Sequence, residues 1–387
     1  MPEQDRMKIA FVYDAVYPYV KGGVEKRVWE LAVILAARGH AVHIFGMKYW
    51  EGDDILIREG VVLHGVCPAH PLYLKGKRTV GEALSFAFHL IPALMKDRFD
   101  LIDCQQFPYF PCISAKLVSL LKGTPLVITW HEVWGDYWYA YLAGAGMFGK
   151  SVERLVSRLT PHGIAVSRTT AWQLEKIRPP LKATVIKNGV DLREIAAISP
   201  APHRSDILFA GRLIGEKHAD LLIDSLYLLL KEDPKLTLLI VGEGPEEEAL
   251  RIRIREKGME GPVRIRHFFY CHEDLVAEMK AAKVFVLPST REGFGIAALE
   301  ALACGLPVVT VDHPANAVRE LITERTGFLC TLTAEDLADA LREALRRHAE
   351  MRDNCIAAAA GYSWESIAVD LERYYRSVTA TDRARQE

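Results

Sequence analysis

The chain has 387 residues, half of them hydrophobic and a quarter charged, with a formal net charge of −2. At about 100–200 residues per domain this length suggests two domains, and near-neutrality argues against a general nucleic-acid binder. The charge is uneven: residues 1–195 hold 24 Lys and Arg against 19 Asp and Glu, and the remainder 24 against 31. A more basic first half would suit anionic lipid or a phosphorylated acceptor, or it is ordinary scatter. The seven cysteines (Cys67, Cys104, Cys112, Cys271, Cys304, Cys330, Cys355) are odd in number and form no C-x-x-C pair. They read as buried free thiols in a reducing compartment, with no disulfide frame and no zinc site. The start, MPEQDRMKIAF, lacks the apolar core of a signal peptide. No apolar run approaches the ~18–20 residues of a membrane span; the longest, Ala83–Met95, is broken by His89 and Pro92. A cytoplasmic protein is expected, either soluble or peripheral at the cytoplasmic face of a membrane.

Lys8–Tyr13 reads as a buried strand, and Val24–Arg38 as a helix with Val28, Leu31, Ala32 and Leu35 on one face, stopped by Gly39. His40–Gly46, Leu101–Cys104, Leu126–Thr129 and Gly163–Val166 are further short apolar runs. The alternation then restarts: strands at Asp206–Ala210, Leu236–Val241, Val263–His267, Val284–Leu287 and Pro307–Val311, with helices at His218–Leu230 and Pro245–Lys257. Strands too apolar to be half exposed, alternating with helices, predict an α/β protein with two doubly wound parallel-sheet domains. The expected domains are 1–195 and 206–363, joined through the Pro- and Ser-containing piece Ser199–Ser205. The segment 364–387, with Trp364, Tyr374 and Tyr375, is expected to pack back toward the first domain.

Three loops offer an anion site. In YPYVKGGVE, Gly22-Gly23 directly precede a helix, whose free N–H groups and positive dipole end suit phosphate. A plain turn is the alternative, since the loop lacks a dinucleotide or P-loop spacing. In FAGRLIGEKHADLL, Arg212 follows a strand and Lys217 sits at the next helix start, so two cations could neutralise a diphosphate without a metal. The third loop is REGFGIAALE. A helix starting near Gly295 or Ile296 points its N–H groups at a ligand, with Phe294 and Gly295 offering backbone contacts. Glu292 stands ahead of that helix and Glu300 roughly 6–8 Å along it, at about 1.5 Å per residue. A ligand with hydroxyls at both ends and phosphates between them fits, and a nucleotide sugar is one: sugar hydroxyls near Glu292, ribose hydroxyls near Glu300. His131, in VITWHEVWGDYWYAYL, sits at a strand's C-terminal end, where open α/β sheets bind ligands. The aromatic run after it (Trp134, Tyr137, Trp138, Tyr139, Tyr141) reads as core, as an acceptor platform or as a membrane-interface belt. Residues 70–96 place Lys75, Lys77 and Arg78 before a segment with Leu84, Phe86, Phe88, Leu90 and Leu94. This reads either as a core helix behind a basic loop or as a contact with an anionic bilayer.

In order along the chain stand GGVE (Gly22–Glu25), TWHE (Thr129–Glu132), AVS (Ala165–Ser167), KNGVD (Lys187–Asp191), GRL with Lys217, VGEGPEEEAL (Val241–Leu250) and PSTREGFGIAALEALACGLPVV. Together they resemble the retaining glycosyltransferases of family 4, with the GT-B fold, over nearly the whole chain; the last motif contains that family's E-x7-E signature. TWHE departs from the commoner form with Asp after the His, and Tyr270 stands where the family often has Gly. The resemblance implies two Rossmann-like domains facing each other across a cleft. It implies Glu292 on the donor sugar hydroxyls, Glu300 on the ribose, and Arg212 with Lys217 as diphosphate clamp. Gly23 would approach the diphosphate or donor sugar on closure, and His131 would touch the donor sugar's outer hydroxyls. Catalytic positions are then His131 and Glu292; donor-binding positions are Gly22, Gly23, Arg212, Lys217, Gly242, Phe294, Gly295, Ile296 and Glu300.

The implied activity is retaining, metal-independent transfer of a hexosyl unit to a glycan or lipid-linked acceptor, with no cofactor beyond the nucleotide-sugar co-substrate. GDP-mannose, UDP-glucose and UDP-N-acetylhexosamine all fit as donors. An epimerase or phosphorylase of the same architecture, or a non-catalytic nucleotide-sugar-binding protein, are the alternatives. A phosphorylase would want a pyridoxal phosphate lysine, and the complete set of donor ligands counts against the last.

Overall fold

The computed structural model describes residues 6–74 and 77–386. The chain divides into two compact units: residues up to Asn188 together with the segment from Trp364 onward, and Gly189–Ser363.

In the first unit the strands are β1 (Lys8–Val12), β2 (Ala41–Lys48), β3 (Ile55–Arg58), β4 (Val61–Pro68), the short pair β5 (Tyr73–Leu74) and β6 (Lys77–Arg78), β7 (Leu101–Gln105), β8 (Leu126–Trp130), β9 (His162–Ala165) and β10 (Thr184–Val185). Eight of them form one sheet in the order β10-β9-β8-β7-β1-β2-β4-β3. Every pairing is parallel except β3 with β4. This antiparallel edge departs from the expected all-parallel sheet. Glu59 and Gly60, both at positive φ (51° and 80°), turn the chain between the two strands. Strands β1, β7 and β8 are buried along nearly their whole length because helices cover them: α1 (Gly23–Ala37), α2 (Val80–Met95), α3 (Phe110–Lys122), α4 (Tyr137–Leu142), α5 (Gly146–Val156) and α6 (Arg168–Ile177).

The chain passes into the second unit at Asn188–Gly189, ahead of Ser199–Ser205. The segment α7 (Leu192–Ala197) and the residues after it are tied to the second unit. Lys280 Nζ donates to Ala196 O and Ile198 O, and Ala201 N donates to Ala277 O at 2.9 Å. The piece marked by composition as a connector is therefore part of that unit, because backbone carbonyls rather than residue types hold it there.

The second sheet contains β11 (Ser205–Ala210), β12 (Leu238–Val241), β13 (Val263–Arg266), β14 (Ala282–Leu287), β15 (Val308–Val311) and β16 (Gly327–Cys330), in the order β13-β12-β11-β14-β15-β16, all parallel. Around it lie α8 (Ala219–Leu230), α9 (Glu247–Glu256), α10 (His272–Ala281), α11 (Ile296–Ala303) and α12 (Ala334–Ala360). The final helix, α13 (Trp364–Gln386), belongs to the first unit, where Trp364, Ile367, Leu371, Tyr375 and Val378 share a core with Ile9, Phe11, Leu31 and Leu35.

Strand order reverses beside β1 in the first sheet and beside β11 in the second. Such switch points open a crevice at the carboxyl ends of the strands. The loops after β1, β7 and β8, and those after β11, β12 and β14, are therefore the ones placed to hold a ligand.

Candidate functional site

In the second unit three motif loops converge at the switch point. After β11 comes Gly211-Arg212-Leu213, and after β12 comes Gly242-Glu243-Gly244. Leu213 N donates to Glu243 O at 2.8 Å and Glu246 N to Leu213 O at 3.1 Å. The contact is close: a Cβ on Gly242 would lie 2.0 Å from Gly211 O. Gly242 therefore has a packing reason of its own, the close approach of two loop backbones. Arg212 beside it is exposed.

Lys217 ends a short 3-10 turn, Gly215–Lys217, just before α8. Its Nζ forms an ion pair with Glu292 Oε1, and the two side chains are only 14 % and 12 % exposed. Ser289 Oγ donates to the same Glu292 oxygen at 3.0 Å. The Glu292 backbone is clamped too: its N–H donates to Ala315 O and its C=O accepts from Ala317 N, both at 3.0 Å. Thr290 N donates to Glu216 O at 3.0 Å, so the turn carrying Lys217 and the loop carrying Glu292 are stitched together. Two residues 75 positions apart thus form one charged pair at the switch point.

Helix α11 begins at Ile296, with Gly295 as its N-cap at φ 86°. A side chain there would strain the backbone and place its Cβ 2.3 Å from Val318 Cγ2, so the position requires glycine. Phe294 is buried, its ring 6.2 Å from that of Tyr362, so it positions the loop by packing and leaves backbone groups for a ligand. Glu300 lies on the inward face of α11, 4 % exposed, with Oε1 3.1 Å from His272 Nε2 of α10.

In the first unit, α1 starts at Gly23 behind Gly22, which is extended and carries no side-chain cap. Glu25 in the first turn is buried, and burial pushes its carboxyl up to about 7. His131 follows β8 directly and is half-buried. Its N–H donates to Gln106 Oε1 at 2.9 Å, and its Nε2 lies 2.8 Å from Gln105 Oε1. Burial, then the nearby charge of Arg27, hold its pKa well below the usual histidine value, so it is neutral at pH 7. Gln105 Nε2 reaches Asp103 Oδ1 at 3.1 Å, and Asp103 also accepts from Thr129 Oγ1 and from the Tyr375 hydroxyl of α13. Asp103, Gln105 and Gln106 carried no sequence role. The available signal was their type: three polar residues in and just after a short strand whose other residues are apolar.

Of the three readings of the aromatic run after His131, the core one fits in part: Trp138 is buried, Trp134 packs between Phe107, Trp138 and Tyr141, and Tyr139 is exposed. One expectation changes. Of the basic cluster before α2, Lys75 lies outside the described residues. Arg78 is not a surface cation, since its Nη2 pairs with both oxygens of fully buried Asp14 at 2.8 and 2.7 Å.

Residues 21–194 match the family model for glycosyltransferase family 4, and residues 193–361 match that for glycosyl transferases group 1. A glycogen synthase of Mycobacterium tuberculosis is 26 % identical over 408 residues, covering 98 % of this chain and 97 % of its own. A phosphatidyl-myo-inositol mannosyltransferase of Mycobacterium leprae is 28 % identical over 388 residues, covering 95 % and 96 %. Among solved structures, sucrose-phosphate synthase of Thermosynechococcus elongatus superposes with a TM-score of 0.81 at 22 % identity, covering 97 % of this chain and all of that one. The Anabaena protein HepE, in complex with UDP and glucose, gives 0.74 at 20 % identity, covering 96 % of this chain and all of that one. With both halves matched in order and the fold shared, the chain belongs to the family 4 glycosyltransferases, with the GT-B fold.

Proposed function

We propose that this glycosyltransferase moves a hexosyl unit from a nucleotide-diphosphate sugar to a lipid-linked or glycan acceptor, with retention of configuration and without a metal ion. The observation that carries the reading is the Lys217–Glu292 pair beside the start of α11. A leaving diphosphate needs positive charge, which Lys217, exposed Arg212 and the N–H groups of Ile296 and Ala297 supply. A sugar next to that diphosphate needs a hydroxyl acceptor held in place, which clamped Glu292 supplies. His131 and the Gly22–Gly23 turn serve the sugar from the first unit, and Glu300 takes the ribose.

In the reaction so read, the acceptor oxygen bonds to the anomeric carbon as the carbon–phosphate-oxygen bond breaks on the same face. The acceptor proton passes to the leaving phosphate oxygen. The protein's part is to position the partners and stabilise the departing charge.

For the acceptor, the names of two relatives favour lipid carriers: the phosphatidyl-myo-inositol mannosyltransferase, and a GDP-mannose:cellobiosyl-diphosphopolyprenol alpha-mannosyltransferase of Xanthomonas oryzae, 29 % identical over 304 residues. In the first unit α2 and α3 lie side by side, and Leu84, Phe88, Leu117, Leu120 and Leu121 are exposed on them, a surface suited to a membrane face. No helix among the described residues is long and apolar enough to cross a membrane.

A thermal-shift screen against UDP, GDP, ADP and their sugars tests the reading, since a ligand of the native state raises the melting temperature. One nucleotide family should stand out, and transfer from the matching sugar should survive EDTA. No shift with any nucleotide, or activity abolished by EDTA and restored by Mg2+ or Mn2+, would overturn it.

A further inference from the structure

We propose that Gln105 is a positioning residue that fixes His131 as its Nε2–H tautomer, and that Asp103 and Tyr375 hold Gln105 in the orientation this requires. The inference rests on the reading of His131 as a ligand of the donor sugar and deepens it.

The argument runs outward from Asp103. Its carboxylate is 2 % exposed, in the middle of the first sheet. Thr129 Oγ1 donates to it, 2.8 Å from Oδ1 and 3.0 Å from Oδ2, and the Tyr375 hydroxyl donates to Oδ2. Burial keeps the Tyr375 phenol far above its ordinary pKa, so it remains a donor. A carboxylate has only acceptors to offer. The end of the Gln105 amide 3.1 Å from Oδ1 must therefore be its NH2. That choice turns Gln105 Oε1 toward His131, 2.8 Å from Nε2. An amide oxygen also only accepts, so His131 Nε2 carries the hydrogen. The His131 backbone is pinned independently by Gln106 Oε1, so the main chain keeps its place if the Gln105 contact is lost.

The consequence concerns Nδ1. In a neutral imidazole protonated at Nε2, Nδ1 has a lone pair and no hydrogen. It has no hydrogen-bond partner among the described residues. His131 therefore offers a ligand an acceptor, which suits a sugar hydroxyl and rejects a phosphate oxygen. The opposite tautomer, or a charged ring, would favour the phosphate. The Asp103–Gln105 relay thus decides which part of a nucleotide sugar His131 reads. Tyr375 places the last helix in the same chain of contacts.

The test uses the full-length protein labelled with 15N-histidine, with the His131 signals assigned by their loss in His131→Asn. Long-range 1H–15N correlation spectra of the free protein report the tautomer directly. The expected wild-type pattern is the Nε2–H form. Gln105→Met keeps the length and removes the acceptor; it should release the tautomer to a mixture. Transfer or hydrolysis of UDP-glucose and GDP-mannose should fall roughly tenfold or more in kcat, the factor for one misplaced hydrogen bond, with UDP and GDP affinity unchanged. Tyr375→Phe should move the same signals part of the way. A wild-type Nδ1–H or doubly protonated ring would overturn the proposal. So would a Gln105→Met spectrum unchanged from wild type, or a released tautomer with unaltered turnover. Failure of the functional reading looks different: no nucleotide bound and no sugar released by the wild type, whatever the spectrum.

Discussion

Lys217 and Glu292 were expected to act on different parts of the donor, but the structure couples them, and the coupling has a size. Both side chains are largely enclosed, 14 % and 12 % exposed, so solvent screening reduces their interaction only modestly. A hydrogen bond between charged groups is worth about 1.5–3 kcal/mol, and leaving one charge unpaired costs a similar amount again. In a double-mutant cycle, Lys217→Met and Glu292→Gln should each destabilise the second unit. The pair should cost less than the two singles together, with an interaction energy of about 1.5–3 kcal/mol. Arg212 is exposed and should show a coupling to Glu292 near zero. Urea unfolding followed by hydrogen exchange resolved on the second unit measures this, since a two-unit chain need not unfold in one step. In kinetics, kcat/KM of the double variant should be no worse than that of the poorer single, because either loss already dismantles the pair. An interaction energy under about 0.5 kcal/mol, or fully additive kinetic losses, would refute the coupling and return Lys217 to a purely phosphate-binding role.

Arg212→Ala should weaken nucleoside-diphosphate binding about tenfold, the loss of one charge-assisted contact, without altering stability; calorimetric titration and a melting curve check both. Glu300→Ala should chiefly weaken nucleotide binding, whereas Glu292→Ala should chiefly lower turnover, as steady-state kinetics with a folding control will show. His43 and His64 stack on one another with Nδ1 and Nε2 2.8 Å apart, and burial pushes both down to about 4. Their folded pKa values lie below the unfolded value of about 6.5, so the stability they contribute is present above that value and lost as pH falls toward 4. His43→Gln/His64→Gln should flatten the stability–pH curve in that window, read by urea midpoints from pH 7.5 to 4. Phe88→Ser/Leu120→Ser should reduce co-sedimentation with anionic liposomes severalfold while leaving nucleotide affinity intact, and unchanged co-sedimentation would remove α2 and α3 from any membrane face.

Much of the fold was legible because its signals are local. Buried parallel strands announce themselves as apolar runs, and β1, β8, β11 and β14 fall within a few residues of where those runs end. The start of α11 was legible for the same reason, since a glycine at φ 86° ahead of an apolar helix is a strong boundary. Several motif residues proved to carry structure as well. Ser167 of AVS caps α6 by accepting from Thr170 N, and Asp191 of KNGVD caps α7. Lys187 and Asn188 of the same motif accept from buried Arg27. What stayed hidden depends on distance along the chain. The Lys217–Glu292 pair spans 75 positions and the Tyr375–Asp103 contact spans 272. No periodicity or spacing rule reports such a partner. The hairpin β3–β4 was missed for a different reason: Ile55 and Ile57 are exposed, so the edge strand lacks the buried pattern that marks its neighbours.

Arg78 shows how far a partner can change the meaning of a residue. In sequence it closes a basic cluster ahead of an apolar helix, and a basic cluster beside apolar residues suggests lipid. In the fold it is 8 % exposed as a side chain and sits among carboxylates: it pairs with Asp14, and its charge also acts on Glu25 and Glu82. Burial, with Asp14 close by, pushes the Glu82 carboxyl up to about 9, and Arg78 is the cation that opposes that rise. Removing one partner of such a pair costs about 3–5 kcal/mol. Arg78→Glu would add a fourth carboxylate to the cluster and should unfold the first unit rather than release a membrane contact. A charge-reversal test of lipid binding that includes Arg78 would therefore lose binding for the wrong reason. The apolar residues of α2 and α3, exposed and without such partners, are where a membrane reading of this protein stands or falls.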